Sequence, residues 1–119
     1  MGTFSVPIRI VNPDDPQRSR QIDLIVDTGA TLTTVQREVL LEIGLRTRFT
    51  VEAVTIEGRA LRLDVGIATV ELDGRHADIP VAFGLANAPQ VLGATALEIL
   101  GFQVDPVSRT LVPRPLLAL

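Results

Sequence analysis

The chain has no cysteine, tryptophan, tyrosine or lysine, and one histidine, His76, among its 119 residues. Without cysteine there are no disulfides, no thiolate nucleophile and no sulfur-ligated metal. One histidine cannot build a His-based zinc site or, within one chain, a Ser-His-Asp triad. Most common hydrolase chemistries are therefore set aside, and no metal or cofactor is expected. Aromatic platforms for bases are scarce, with four Phe, and the net charge of −3 comes from interspersed Arg, Asp and Glu without a basic cluster. Nucleic acid is a poor partner for such a surface. No apolar run approaches the roughly 20 residues that cross a bilayer. The first ten residues lack the basic-then-apolar order of a signal peptide, and Val6 stands where a myristoylation signal requires Ser or Thr. The expectation is a soluble, cytoplasmic protein with no membrane partner.

What is present is a chain that is 46% apolar, its Val, Leu, Ile and Ala distributed in short runs. This length and composition fit one packed, β-rich domain over residues 1–119, too short for two lobes around a cleft. Residues 4–11 alternate as a strand does, and residues 12–16, with two prolines, form a turn or loop. Residues 21–26 are a second strand whose end, Leu24-Ile25-Val26, is apolar at consecutive positions. Such an end suggests burial on both faces, carrying Asp27 inward. Helical spacing over residues 34–45, with Gly44 as the stop, predicts a short helix.

Residues 46–57 and 59–72 read as a long hairpin with a mobile tip at Glu57-Gly58, and Asp73-Gly74 marks a second hairpin turn. Residues 75–83 return as a strand in which Pro80 suggests an edge or a bulge. A helix over residues 94–100, stopped by Gly101, and short strands at residues 102–104 and 110–112 complete the reading. The two halves echo each other: apolar strand, Gly29-Ala30-Thr31 and helix, against apolar strand, Gly93-Ala94-Thr95 and helix.

The tripeptide Asp27-Thr28-Gly29 alone is a modest signal, expected by chance in roughly one in forty chains of this length. Its setting sharpens it. It follows an apolar strand and precedes Ala30-Thr31, not a phosphate-loop Lys, and the chain later supplies Val91-Leu92-Gly93-Ala94 before a helix. In these features the chain resembles the retropepsin family of aspartic proteases and its cellular relatives, the DNA-damage-inducible retroviral-like proteases and small bacterial members. The resemblance covers residues 4–113.

The resemblance implies a mostly β, closed-barrel acid protease fold with one or two short helices and one lobe per chain. It further implies a homodimeric aspartic endopeptidase acting on peptide or protein substrates, with Asp27 as the catalytic aspartate. Thr28 matches the residue whose hydroxyl braces the partner's loop, and Gly29 and Ala30 the backbone that binds extended substrate. Residues 55–60 fall where the family carries its flap, which assigns substrate contact to Ile56, Glu57, Gly58, Arg59 and Ala60. Leu92 and Gly93 match the motif that packs beneath the active-site loop. Where retroviral members have an acidic residue and an Arg that pair below the site, this chain has Thr31 and Ala94; both partners are replaced together, which strands no lone charge. The flap has one glycine where the family has several, and Pro113 and Pro115 limit pairing of a C-terminal strand across a dimer.

The chemistry asks for these residues independently. Peptide hydrolysis without a metal or covalent intermediate needs a water held between a carboxylate that takes its proton and a carboxylic acid that protonates the carbonyl oxygen. Two carboxyls about 3 Å apart share one proton and titrate as a pair, which predicts activity at mildly acid pH with a bell-shaped profile. A chain with one Asp-Thr-Gly must take the second carboxyl from another copy.

Plainer roles compete for the same residues. Asp27 could cap a turn; Glu57 and Arg59 could be a solvated turn pair; His76, Asp14 and Asp15 read as exposed loop residues. Asp64, Asp73, Asp78 and Asp105 read as surface or turn residues. Two other functions fit less well. One is a catalytically weak or inactive module of the same fold that dimerises or binds peptide by strand addition. The other makes Asp27 a phosphoacceptor, for which the Lys and further motifs are missing.

Overall fold

The computed structural model describes residues 3–115. Nine strands and two short helices follow in the order β1 (Ser5–Asn12), β2 (Asp15–Val26), β3 (Thr33–Gln36), α1 (Arg37–Glu42), β4 (Phe49–Val54), β5 (Ala60–Leu72), β6 (Arg75–Gly84), β7 (Val91–Leu92), α2 (Ala94–Leu100), β8 (Phe102–Asp105) and β9 (Thr110–Pro113). Seven of them form one sheet in the order β1-β2-β7-β3-β6-β5-β4. Pairing of β1 with β5, through Arg9–Glu71, Ile10–Val70 and Val11–Thr69, closes six of these strands into a barrel. Closure removes the free edges that an open sheet presents. β4 extends from β5 outside the ring, and β8 pairs only with β9, in a separate two-stranded sheet.

Alternation fills the barrel. Ile8 and Ile10 of β1, Ile22, Leu24 and Val26 of β2, Ala68, Val70 and Leu72 of β5, and Ile79 and Val81 of β6 point inward and are buried. The period-2 pattern of apolar residues thus becomes one face of a sheet wrapped on itself. Both helices pack against β3 and β6. α1 buries Val39 and Leu40, and α2 buries Ala96, Leu97 and Leu100.

Turn chemistry sets the connections. Asp73 (φ 49°) and Gly74 (φ 77°) both take left-handed geometry, the mirror-image turn that suits tight hairpins. After α1, the Gly44 amide donates to the Leu41 carbonyl and the Leu45 amide to that of Leu40. With Gly44 at φ 83° this is the glycine-terminated helix end its sequence predicts. α2 ends the same way at Gly101 (φ 82°).

The structure corrects several boundaries. β2 begins at Asp15, not at residue 21, because Asn12 Oδ1 accepts the Asp14 amide at 2.9 Å and closes the turn within Pro13 and Asp14. In the polar stretch that follows, Ser19 and Arg20 pair with Val11 and Ile10 of β1, and Asp15 pairs with Asn12 beyond a register shift. The helix expected over residues 34–45 is confined to Arg37–Glu42; Thr33–Gln36 is instead a strand between β6 and β7. Buried Thr33 and Val35 alternate with half-buried Thr34 and Gln36, and tertiary pairing overrides the helical spacing. Pro80 lies on an interior strand in continuous register with β5, so it marks neither an edge nor a bulge. It sits one residue before β6 begins to pair with β3 at Val81, where its missing N–H leaves that neighbour no gap. Among the described residues no helix is long and apolar enough to cross a membrane.

Candidate active site

The loop after β2 is held from three directions. On one side the Ile25 amide donates to the Gln90 carbonyl at 2.9 Å and the Asp27 amide to Leu92 at 3.0 Å, in parallel pairing of β2 with β7. On the other side the Val26 amide donates to the Phe4 carbonyl at 2.9 Å. Below, the Ala94 amide donates to Ala30 at 2.7 Å and the Thr95 amide to Thr31 at 3.1 Å, tying the loop to the first turn of α2. Backbone hydrogen bonds thus join the two segments that carry Thr31 and Ala94 in place of a charged pair.

Asp27 emerges from this frame into solvent: its side chain is exposed in the single chain, not carried inward as the apolar run suggested. The pleat explains this. Leu24 and Val26 point into the core and Ile25 is half-buried, so the strand leaves the sheet just as it reaches Asp27. The carboxylate is preorganised locally. Oδ1 accepts the Gly29 amide at 2.9 Å, and the Asp27 carbonyl accepts the Ala30 amide at 3.2 Å. Thr28 and Gly29 are exposed beside it and Ala30 is half-buried.

Gly93 is required by close approach. A Cβ there would lie 2.6 Å from the Leu32 carbonyl carbon and oxygen and 2.8 Å from the Ala30 oxygen, all backbone. Its amide donates to the buried Thr33 hydroxyl at 3.0 Å. Leu92, fully buried, anchors the same corner in the core.

Asp27 and Thr28 open onto a cleft of about 350 Å³ lined also by Thr3, Phe4, Val26, Val104, Pro106 and Arg109. The wall is largely apolar, with one guanidinium. Thr28 also faces a second hollow, of about 250 Å³, bounded by α2 and β8 through Leu97, Glu98, Phe102 and Gln103. The tip of the hairpin of β4 and β5 lines neither hollow. It is a closed turn in which the Thr55 amide donates to Arg59 at 2.9 Å and the Arg59 amide to Thr55 Oγ1 at 3.0 Å, with Gly58 at φ 86°. Ile56, Glu57, Gly58, Arg59 and Ala60 are all exposed there, and none lines the Asp27 cleft within one chain.

Asp27, Thr28, Gly29, Ala30, Leu92 and Gly93 therefore sit together, while the tip residues do not line their cleft in a single chain. Sequence reasoning missed three neighbours. Thr33 is one of several threonines after the motif, and only pairing with β6 and β7 selects it. Phe4 and Arg109 reach the site from opposite ends of the chain, a proximity that no local pattern reports.

No curated protein matches the chain. Among solved structures, the solution structure of the simian foamy virus (mac) protease is similar, with a TM-score of 0.57 and 22% sequence identity over 82% of this chain and 94% of that one. At that identity the likeness is one of fold. Residues 6–106 match the aspartyl protease family, which spans β1 to the turn after β8 and includes the Asp27 loop. By that match the chain belongs to the aspartyl protease family, with a retropepsin-like fold.

Proposed function

We propose that this protein is an aspartic endopeptidase that works as a homodimer, hydrolysing peptide bonds through a water activated between the Asp27 side chains of two copies. The observation that carries this reading is an exposed carboxylate, one per chain, on a loop fixed by backbone hydrogen bonds from β7, Phe4 and α2. An exposed carboxyl in so rigid a frame suits a twofold contact that brings it against its own copy.

In that arrangement the two carboxyls share one proton. The ionised one accepts a proton from the water as it attacks the scissile carbonyl. The protonated one donates to the carbonyl oxygen; the carboxyl that took the water's proton then gives it to the leaving nitrogen as the C–N bond breaks, and a hydroxyl of the tetrahedral intermediate returns its proton to the other carboxylate as the carbonyl re-forms. The Gly29 amide, already on Asp27 Oδ1, holds one lone pair and fixes the carboxylate plane. Thr28 braces the partner's loop, and the backbone of Gly29 and Ala30 receives extended substrate. The tips carrying Ile56, Glu57, Gly58, Arg59 and Ala60 contribute to substrate contact from across the assembled cleft, with Gly58 as the point of backbone freedom. Each chain supplies one domain, and no cofactor takes part.

The test is cleavage of a diverse peptide library, read by mass spectrometry from about pH 3.5 to about pH 7.5, at concentrations that favour dimers. Wild type cleaves and Asp27→Asn does not. A folded, dimeric wild type that binds peptides and cuts none replaces this reading with that of a peptide-binding module.

A further inference from the structure

Among the described residues, three other than glycine adopt positive φ: Asp73, Asn87 and Arg109. Asp and Asn enter the left-handed region readily, but an Arg does so at a cost. Arg109 (φ 57°) closes the turn between β8 and β9, where glycine would be the unstrained choice. The turn is built to hold it there. Asp105 Oδ1 accepts the Val107 and Ser108 amides at 3.0 and 3.4 Å, and the Asp105 carbonyl accepts the Arg109 amide at 2.9 Å.

The side chain then reaches to the other end of the chain, where Nη2 donates to the Thr3 carbonyl at 2.6 Å. The next residue, Phe4, accepts the Val26 amide, and Val26 immediately precedes Asp27. Arg109 and Asp27 line one cleft, together with Thr3, Phe4 and Val26. On that side the ladder of β1 with β2, with Ser5 opposite Ile25, ends in the segment that Arg109 clasps.

We propose that Arg109 is a positioning residue for Asp27: by clasping the Thr3–Phe4 segment it holds the end of β2, and so sets where the carboxylate stands. The inference rests on the peptidase reading for its catalytic consequence but not for its structural one. The strain at position 109 gives a clean variant. Arg109→Gly removes the guanidinium while relieving the backbone, so the turn survives, and Arg109→Lys keeps a cationic donor.

Amide hydrogen exchange on the full chain reads the clasp without any activity. In Arg109→Gly the Val26 amide exchanges about fivefold faster, the expected effect of losing one hydrogen bond to a charged donor in a partly exposed setting. Arg109→Lys recovers part of that protection, and the Val70 amide in the barrel is unchanged in both. Peptide cleavage, measured in parallel, shows kcat reduced by a similar factor with little change in KM, as for a displaced catalytic group. Unchanged Val26 exchange in Arg109→Gly overturns the clasp. Faster exchange with unaltered kcat in an active enzyme overturns the positioning role. If wild type has no activity, the exchange result still decides the clasp and the failure belongs to the peptidase reading.

Discussion

The hydroxyl of Thr33 accepts the Gly93 amide at 3.0 Å, and both residues are buried. This bond ties the strand that leaves the Asp27 loop to the corner where β7 turns into α2. Its partners are 60 residues apart in the chain. Removing the acceptor while keeping the shape strands a buried donor, so Thr33→Val loses about 2 kcal/mol of stability. Thr33→Ser retains most of it. Urea unfolding of the three proteins checks the order.

Gly93 and Gly58 separate two reasons for glycine. At Gly93 an added Cβ meets backbone atoms of Leu32 and Ala30 at 2.6 to 2.8 Å, so the loop under Asp27 must shift. Gly93→Ala costs about 3 kcal/mol by overpacking and displaces the loop that carries the Asp27 carboxylate, which on the proposed peptidase reading lowers cleavage as well. At Gly58 nothing lies within 4 Å, and only the positive φ resists a side chain. Gly58→Ala costs about 1 kcal/mol, measured by the same unfolding curves.

Asp105 gives the fold an acid-dependent element. Hydrogen bonds from the Val107 amide, then from Ser108, hold its carboxyl below the usual carboxylate range. A depressed folded-state value means that the contribution is present above the unfolded value, near pH 4, and is lost as pH falls through the folded value. Wild type therefore weakens below about pH 4 by more than Asp105→Asn does. Chemical denaturation midpoints followed with pH test this, and parallel curves for the two proteins contradict it.

Much of this architecture was legible locally. Asp73-Gly74 in a mirror-image turn, Gly44 and Gly101 ending their helices, and the hairpin of β4 and β5 are readings that propensity and turn chemistry support directly. The misreadings share a cause. Thr33–Gln36 is a strand because β6 and β7 flank it, and Asp15, Ser19 and Arg20 pair because β1 lies alongside, facts of tertiary structure that no window of residues contains. The Asp27 loop was legible through its motif, but its exposure was not. An apolar run reports how a strand is buried, not where the chain leaves the sheet. Arg109 was invisible for a related reason: its contact with Thr3 joins the two ends of the chain, 106 residues apart.

The central claim is that one active site needs Asp27 from two copies, and mixing experiments test it most directly. Wild type and Asp27→Asn are combined in varying ratio at fixed total concentration, allowed to exchange subunits, and assayed on one cleaved peptide. With one carboxyl from each copy, activity follows the square of the wild-type fraction and falls to about a quarter in an equal mixture. A linear fall, to about half at equal mixture, means that each chain carries a complete site of its own and contradicts the account.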